Sequence, residues 1–83
     1  MRYEQRKIES LLETMLGEVF LKVLIIEFDR KDYIHLLVKT TEEVDWGLMV
    51  DPEEDLLYQY LRRLGYRTID IVASTRFEGE WVM

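Results

Sequence analysis

The sequence predicts an α+β fold: a two-layer sandwich of α-β-β-α-β-β order, with two helices on one face of a four-stranded, mostly antiparallel sheet. Three observations predict it. Two stretches carry apolar residues at helical spacing and each stops at a glycine, Gly17 and Gly65. Two runs rich in branched and aromatic residues lie on either side of the short polar stretch Asp29-Arg30-Lys31-Asp32. Each helix has one apolar stripe, so the pair covers one side of a sheet and leaves the other side bare.

The first helix spans residues 4–16. Ile8, Leu11, Leu12, Met15 and Leu16 fall at i, i+3, i+4, i+7 and i+8, which is one face at a period of 3.6. Gly17 is placed to end it with a positive φ. Residues 19–29 read as the first strand from their Val and Ile content. Residues 29–32 form the turn, and residues 33–40 form the second strand of an antiparallel hairpin. Residues 41–49 are a connection that contains Trp46 and Gly47.

The second helix is expected from Pro52 to Leu64. Asp51 supplies an N-cap, Pro52 sits at the first helical position, and Glu53 and Glu54 face the positive end of the dipole. Its core stripe is Leu56, Leu57, Tyr60, Leu61 and Leu64, and Tyr66 packs back over the last turn beyond Gly65. Residues 67–74 form a third strand with Ile69, Ile71 and Ala73 on one side. Residues 75–83 alternate loosely and are expected to add the fourth strand. The two halves match at a regular offset, as in Leu16-Gly17 with Leu64-Gly65. A helix, a glycine stop and a strand used twice account for that match as well as a duplication does.

The 83 residues read as one domain, 1–83. The hydrophobic fraction of 48% and charged fraction of 34% are those of a folded chain rather than a disordered one. A domain this small buries only about 60% of the surface its unfolded chain exposes. Its core is thin, and a partner chain would add to it. The most apolar run, residues 19–28, is about half the length a membrane span needs. It also carries Lys22 and Glu27. A cytoplasmic protein with no membrane partner is expected.

The net charge of −6 is concentrated. Residues 42–55 hold seven acids and no base, and the rest of the chain has ten acids against eleven bases. Helix capping and an ordinary solvated loop account for most of that segment. Two sharper readings remain: a divalent-cation site on Asp45, Asp51 and Glu53, and an acidic surface that engages a basic partner as an inhibitor or regulator.

No catalytic motif is visible. There is no cysteine, which excludes disulfides, thiolate metal sites and a cysteine nucleophile. His35 is the single histidine and reads as a packed or interface residue. The serines, Ser10 and Ser74, have no arguable base, and the four glycines form no phosphate-binding loop. The expectation is a non-enzymatic protein with no cofactor. An enzyme, if present, would use carboxylate-bound Mg²⁺.

The hairpin carries the main functional expectation. With the turn at 29–32, Phe28 lies opposite Tyr33, Ile26 opposite His35, Leu24 opposite Leu37 and Lys22 opposite Lys39, and cross-strand partners share a face. Leu21, Val23, Ile25, Ile34, Leu36 and Val38 then lie under the helices. The other face holds Leu24, Ile26, Phe28, Tyr33, His35 and Leu37, which is unusually apolar for a solvated sheet face. These residues, with Trp46, are the expected interaction site. The favoured occupant is a second copy of the chain in a twofold dimer. The alternatives are cover from the same chain, by the Trp46 loop or the Phe77–Trp81 tail, or a different protein partner. A further alternative is single-stranded nucleic acid stacked on Phe28 and Tyr33 between Lys22 and Lys39. The pI near 4.7 argues against that last reading. Trp46 reads as a lid over the core more readily than as a partner anchor.

Overall fold

The computed structural model of the chain describes residues 2–27 and 29–76. Helix α1 (Gln5–Leu16) and strands β1 (Phe20–Glu27) and β2 (Tyr33–Thr40) fall where the apolar spacing places them. Helix α2 (Trp46–Met49), helix α3 (Leu56–Arg63) and strand β3 (Thr68–Ser74) follow. A 3-10 turn at Gly17–Val19 joins α1 to β1. It starts at Gly17 with φ +63° and opens over nothing within 4 Å, so backbone conformation, not crowding, requires glycine there.

The class is α+β, but the sheet differs from the expected one. Among the described residues it has three strands in the order β1-β2-β3 and is mixed: β1 pairs antiparallel with β2, and β3 pairs parallel with β2. The reason is the connection. Residues 41–67 carry two helices across one face of the sheet, and such a crossover returns the chain beside β2 in the same direction, where a tight turn would have reversed it. The expected fourth strand falls mainly on 77–83, outside the described residues. Just before it, the Arg76 amide donates to Ser74 Oγ at 3.0 Å, a local turn after β3.

The hairpin register is the one expected. Ile26 pairs with His35, Leu24 with Leu37 and Lys22 with Lys39. Only its far end departs. Phe20 pairs with Thr40 and Lys22 with Lys39, so β1 has one residue more than β2 across this step. That bulge turns Leu21 outward to 51% exposure and lets Phe20 pack on the core in its place. The expectation that Leu21 lies under the helices is therefore corrected.

The core lies between the sheet and the helices. Ile8, Leu12 and Leu16 from α1 meet Val23 of β1 and Ile34, Leu36 and Val38 of β2, and Leu57, Leu61 and Tyr66 close it from the other side. β2 is central, and its inner residues are all but fully buried as far as Thr40, whose hydroxyl donates to the Glu42 carbonyl at 2.7 Å.

The second predicted helix is corrected at its start. Residues 51–54 do form a capped turn: Asp51 Oδ1 accepts from the Glu53 amide at 2.9 Å, and the Asp51 carbonyl accepts from Glu54 and Asp55. The turn does not run into α3, because Asp55 is extended at φ −68°, ψ 137°. The carbonyls an unbroken helix would use are taken by side chains of α3. Arg62 Nη2 donates to Pro52 O, and Gln59 Nε2 donates to Glu54 O at 3.0 Å. Of the expected stripe, Leu57 and Leu61 are buried and Tyr60 and Leu64 pack against the core; Tyr58 joins them, and Leu56 is corrected to 62% exposed.

The end of α3 agrees with expectation. Gly65 has φ +105°, its amide donates to Arg62 O at 3.0 Å, and the Tyr66 amide donates to Leu61 O at 3.2 Å. This pair of bonds is the Schellman arrangement. It drops the Tyr66 ring into the core at 1% exposure.

Candidate interaction surface

The face of the sheet turned away from the helices is built by alternation on three strands. β1 contributes Lys22, Leu24 and Ile26; β2 contributes Tyr33, His35, Leu37 and Lys39. Strand β3 adds Asp70 and Val72, since its Ile69, Ile71 and Ala73 pack on the core. The pairing sets these residues in rows. Leu24, Leu37 and Val72 make one row across the sheet, and Ile26, His35 and Asp70 make the next. Leu24, Ile26 and Leu37 are half-buried and Val72 is 41% exposed.

The second row has polar structure of its own. His35 Nδ1 lies 3.2 Å from Asp70 Oδ2, and Tyr33 Oη donates to the same oxygen at 3.3 Å. Burial first, then the Asp70 charge and this bond, hold the Tyr33 hydroxyl above its ordinary pKa and keep it a neutral donor. An apolar row thus borders a carboxylate that collects a tyrosine and a histidine. Asp70 and Val72 were missed from sequence because an antiparallel β3 without register has no assigned neighbours. The alternation of Ile69 and Ile71 with Asp70 and Val72 was the available signal.

Of the residues expected to form the interaction site, Leu24, Ile26, Tyr33, His35 and Leu37 come together on this face. Phe28 lies outside the described residues. Trp46 sits elsewhere, on the helix side of the sheet. Asp45 caps α2 by accepting from the Leu48 amide at 3.3 Å. Trp46 packs against the core, and its Nε1 donates to Tyr58 Oη at 2.9 Å. Its position is that of the lid.

Comparison with protein-family models, with curated proteins and with solved structures finds no match for this chain.

The acidic segment is partly consumed by its own backbone. Asp45 and Asp51 cap local turns, and Glu43 accepts from Thr75 Oγ1 at 3.2 Å. Among the described residues no group of three or more carboxylate or imidazole side chains is placed to hold a metal ion, so Asp45, Asp51 and Glu53 do not assemble into one. Among them, too, no helix is long and apolar enough to cross a membrane.

A second surface feature lies in the helix layer. Lys7 and Leu11 of α1 and Leu56, Gln59, Tyr60 and Arg63 of α3 line a groove of about 170 Å³. Its α3 wall falls at i, i+3, i+4 and i+7, one side of the helix. Tyr60 Oη accepts from the Glu4 amide at 3.0 Å and ties the start of α1 to this wall.

Proposed function

We propose that the protein is a small non-enzymatic interaction module that pairs with a second copy of itself, sheet against sheet. The row Leu24, Leu37 and Val72 on the face opposite the helices carries this reading. A twofold axis through that face sets the row against its own copy, as an isologous contact requires. The thin core supports it, since pairing adds buried apolar surface that a chain of this size lacks. The Tyr33–Asp70–His35 group at the edge of the row supplies polar contacts that give the pairing a register.

Two alternatives have less support. Of the seven acids of 42–55, Asp45 and Asp51 cap local turns and Glu43 is bonded to Thr75, which weakens the case for a regulator that presents the segment to a basic partner. Asp70 beside Tyr33 puts a carboxylate where a nucleic-acid phosphate would run, which disfavours base stacking on this face.

Light scattering of Leu24→Lys/Leu37→Lys and of the milder Val72→Lys, each checked for a native circular dichroism spectrum, tests the reading. In ~0.5 M salt, where exposed ion pairs are screened, the unmodified chain is expected to run as a dimer and both variants as monomers. Folded variants that keep the mass of the unmodified chain would refute it.

A further inference from the structure

The groove between α1 and α3 carries charge of one sign. Its lining holds two cations, Lys7 and Arg63, and no acid. The ion pairs among the described residues are Arg30 with Asp32 and His35 with Asp70, so neither groove cation is in one. The net charge of −6 comes from 42–55, and no acid of that segment enters the lining. Glu4, one turn before Lys7, gives its backbone amide to Tyr60 Oη, and its carboxylate stays outside the lining.

Charge and apolar surface are also sorted along the groove. The Arg2 guanidinium donates to the Leu64 carbonyl and the Glu4 amide to Tyr60, so the start of α1 lies beside the end of α3 and the two helices run antiparallel. Lys7 and Arg63 therefore share one end, and Leu11 and Leu56 share the other. At about 1.5 Å per residue, Arg63 stands about 10 Å from Leu56 along α3, and Lys7 about 6 Å from Leu11 along α1. Leu56 is 62% exposed, so the apolar end lies open.

The groove volume of about 170 Å³ is below the roughly 300–1,000 Å³ of pockets that enclose a free small molecule. It suits one apolar side chain of a larger partner whose backbone lies along the groove. We propose that this is a docking site for an acidic amphipathic helix of a different protein. An aliphatic anchor on that helix rests on Leu11 and Leu56, and its carboxylates meet Lys7 and Arg63. Separations of about 6 and 10 Å are about four and seven residues of a helix, so the anchor and two acids lie on one face as Glu-x2-Glu-x3-Leu. With the acids first, both carboxylates fall near the partner helix's start, where its dipole favours them. Arg63 can take a carboxylate through two parallel bonds, and Lys7 meets the other as a point charge. Tyr60 Oη, which accepts from the Glu4 amide, has its own proton to donate between them. A basic helix would set cation on cation, so charge selects the occupant. The site lies on the layer opposite the sheet face and is independent of the pairing proposed above.

The test titrates end-capped peptides of about 16 residues, long enough for partial helicity, into the isotope-labelled full chain and follows amide shifts by NMR. One peptide carries Glu-x2-Glu-x3-Leu on an Ala and Gln background; a second has Lys for both Glu; a third has Ala for Leu. At low salt the acidic peptide is expected to give saturable shifts on the facing sides of α1 and α3. Its dissociation constant should rise about tenfold or more in ~0.5 M salt, and by about tenfold with Ala for Leu. Lys7→Glu/Arg63→Glu is expected to lose the acidic peptide and bind the Lys peptide instead, which also shows that the variant is folded. Absence of saturable shifts from the acidic peptide, or equal binding of the Glu and Lys peptides, would overturn the proposal. Glu78→Gln/Glu80→Gln is expected to leave the dissociation constant unchanged, and a tenfold fall would give the groove to the chain's own tail instead. Concentration-dependent shifts at the same residues without peptide would give it to a second copy, and would equally overturn the proposal.

Discussion

Tyr58 is 7% exposed, and its hydroxyl accepts a bond from the indole of Trp46. Burial pushes its pKa up and the indole bond pulls the other way. Trp46→Phe leaves that hydroxyl without the indole, and a buried polar group left unsatisfied costs about 1–3 kcal/mol. Trp46→Phe/Tyr58→Phe removes both partners and is expected to cost less than the two single changes added together, as read from urea melts. Gly65 is a sharper case. Its φ of +105° strains any L side chain, and a Cβ would meet Arg2 Nη1 at 2.8 Å. Gly65→Ala is expected to lose about 1–3 kcal/mol. It would also displace the Arg2 guanidinium, which lies 4.2 Å over the Tyr66 ring and donates to the Leu64 carbonyl.

Tyr66 gives the chain an alkaline limit. Burial, then its bond to Glu27 and the charge of that carboxylate, raise its pKa from 10.0 to about 12. The folded value lies above the unfolded one, so the stabilisation is fully present below pH 10.0 and is lost as pH rises through about 12. A pH series of thermal melts should therefore fall across that window, and Tyr66→Phe should flatten the fall. An equally steep fall in Tyr66→Phe would assign the effect to other groups.

At the scale of elements, the sequence was most legible where one local rule acted alone. α1 keeps its stripe because Ile8, Leu12 and Leu16 are spaced for one face and no competing partner intervenes. The hairpin keeps its register because a one-residue slip would carry Val23, Ile34, Leu36 and Val38 to the other side of the sheet. The Gly65 stop and the return of Tyr66 followed from helix-end chemistry. The failures came where a distant residue decided the matter. Capping at Asp51 was readable, but Arg62 and Gln59 take the carbonyls that would have continued that turn into α3. The bulge at Leu21 depends on how β1 begins against Thr40, and no propensity of Leu21 announces it. Leu21→Ala is therefore expected to change stability by no more than about 0.5 kcal/mol. Leu36→Ala, on the neighbouring strand, should cost about 2–5 kcal/mol. Chemical denaturation of both variants measures the contrast.

At the scale of the molecule, the direction of β3 was the largest thing the sequence withheld. An antiparallel return and a parallel crossover both suit a strand that follows a helix. The choice rests on how the 41–67 connection packs across the sheet. That choice also decides what lies on the face away from the helices. Most of the expected site was legible, since Leu24, Ile26, Tyr33, His35 and Leu37 share that face as the hairpin register required. Asp70 and Val72 depend on the parallel β3, and they alter the face: Val72 extends the apolar row to the third strand, and Asp70 gives His35 and Tyr33 a shared acceptor. Trp46 belongs to the helix layer because Tyr58 holds its indole there.

The most direct measurement of the central claim is the solution mass of the unmodified chain and of Val72→Lys in ~0.5 M salt. Pairing through the sheet face predicts a dimer for the unmodified chain and a folded monomer for Val72→Lys. A monomer in both, or the same dimer in both, would contradict it.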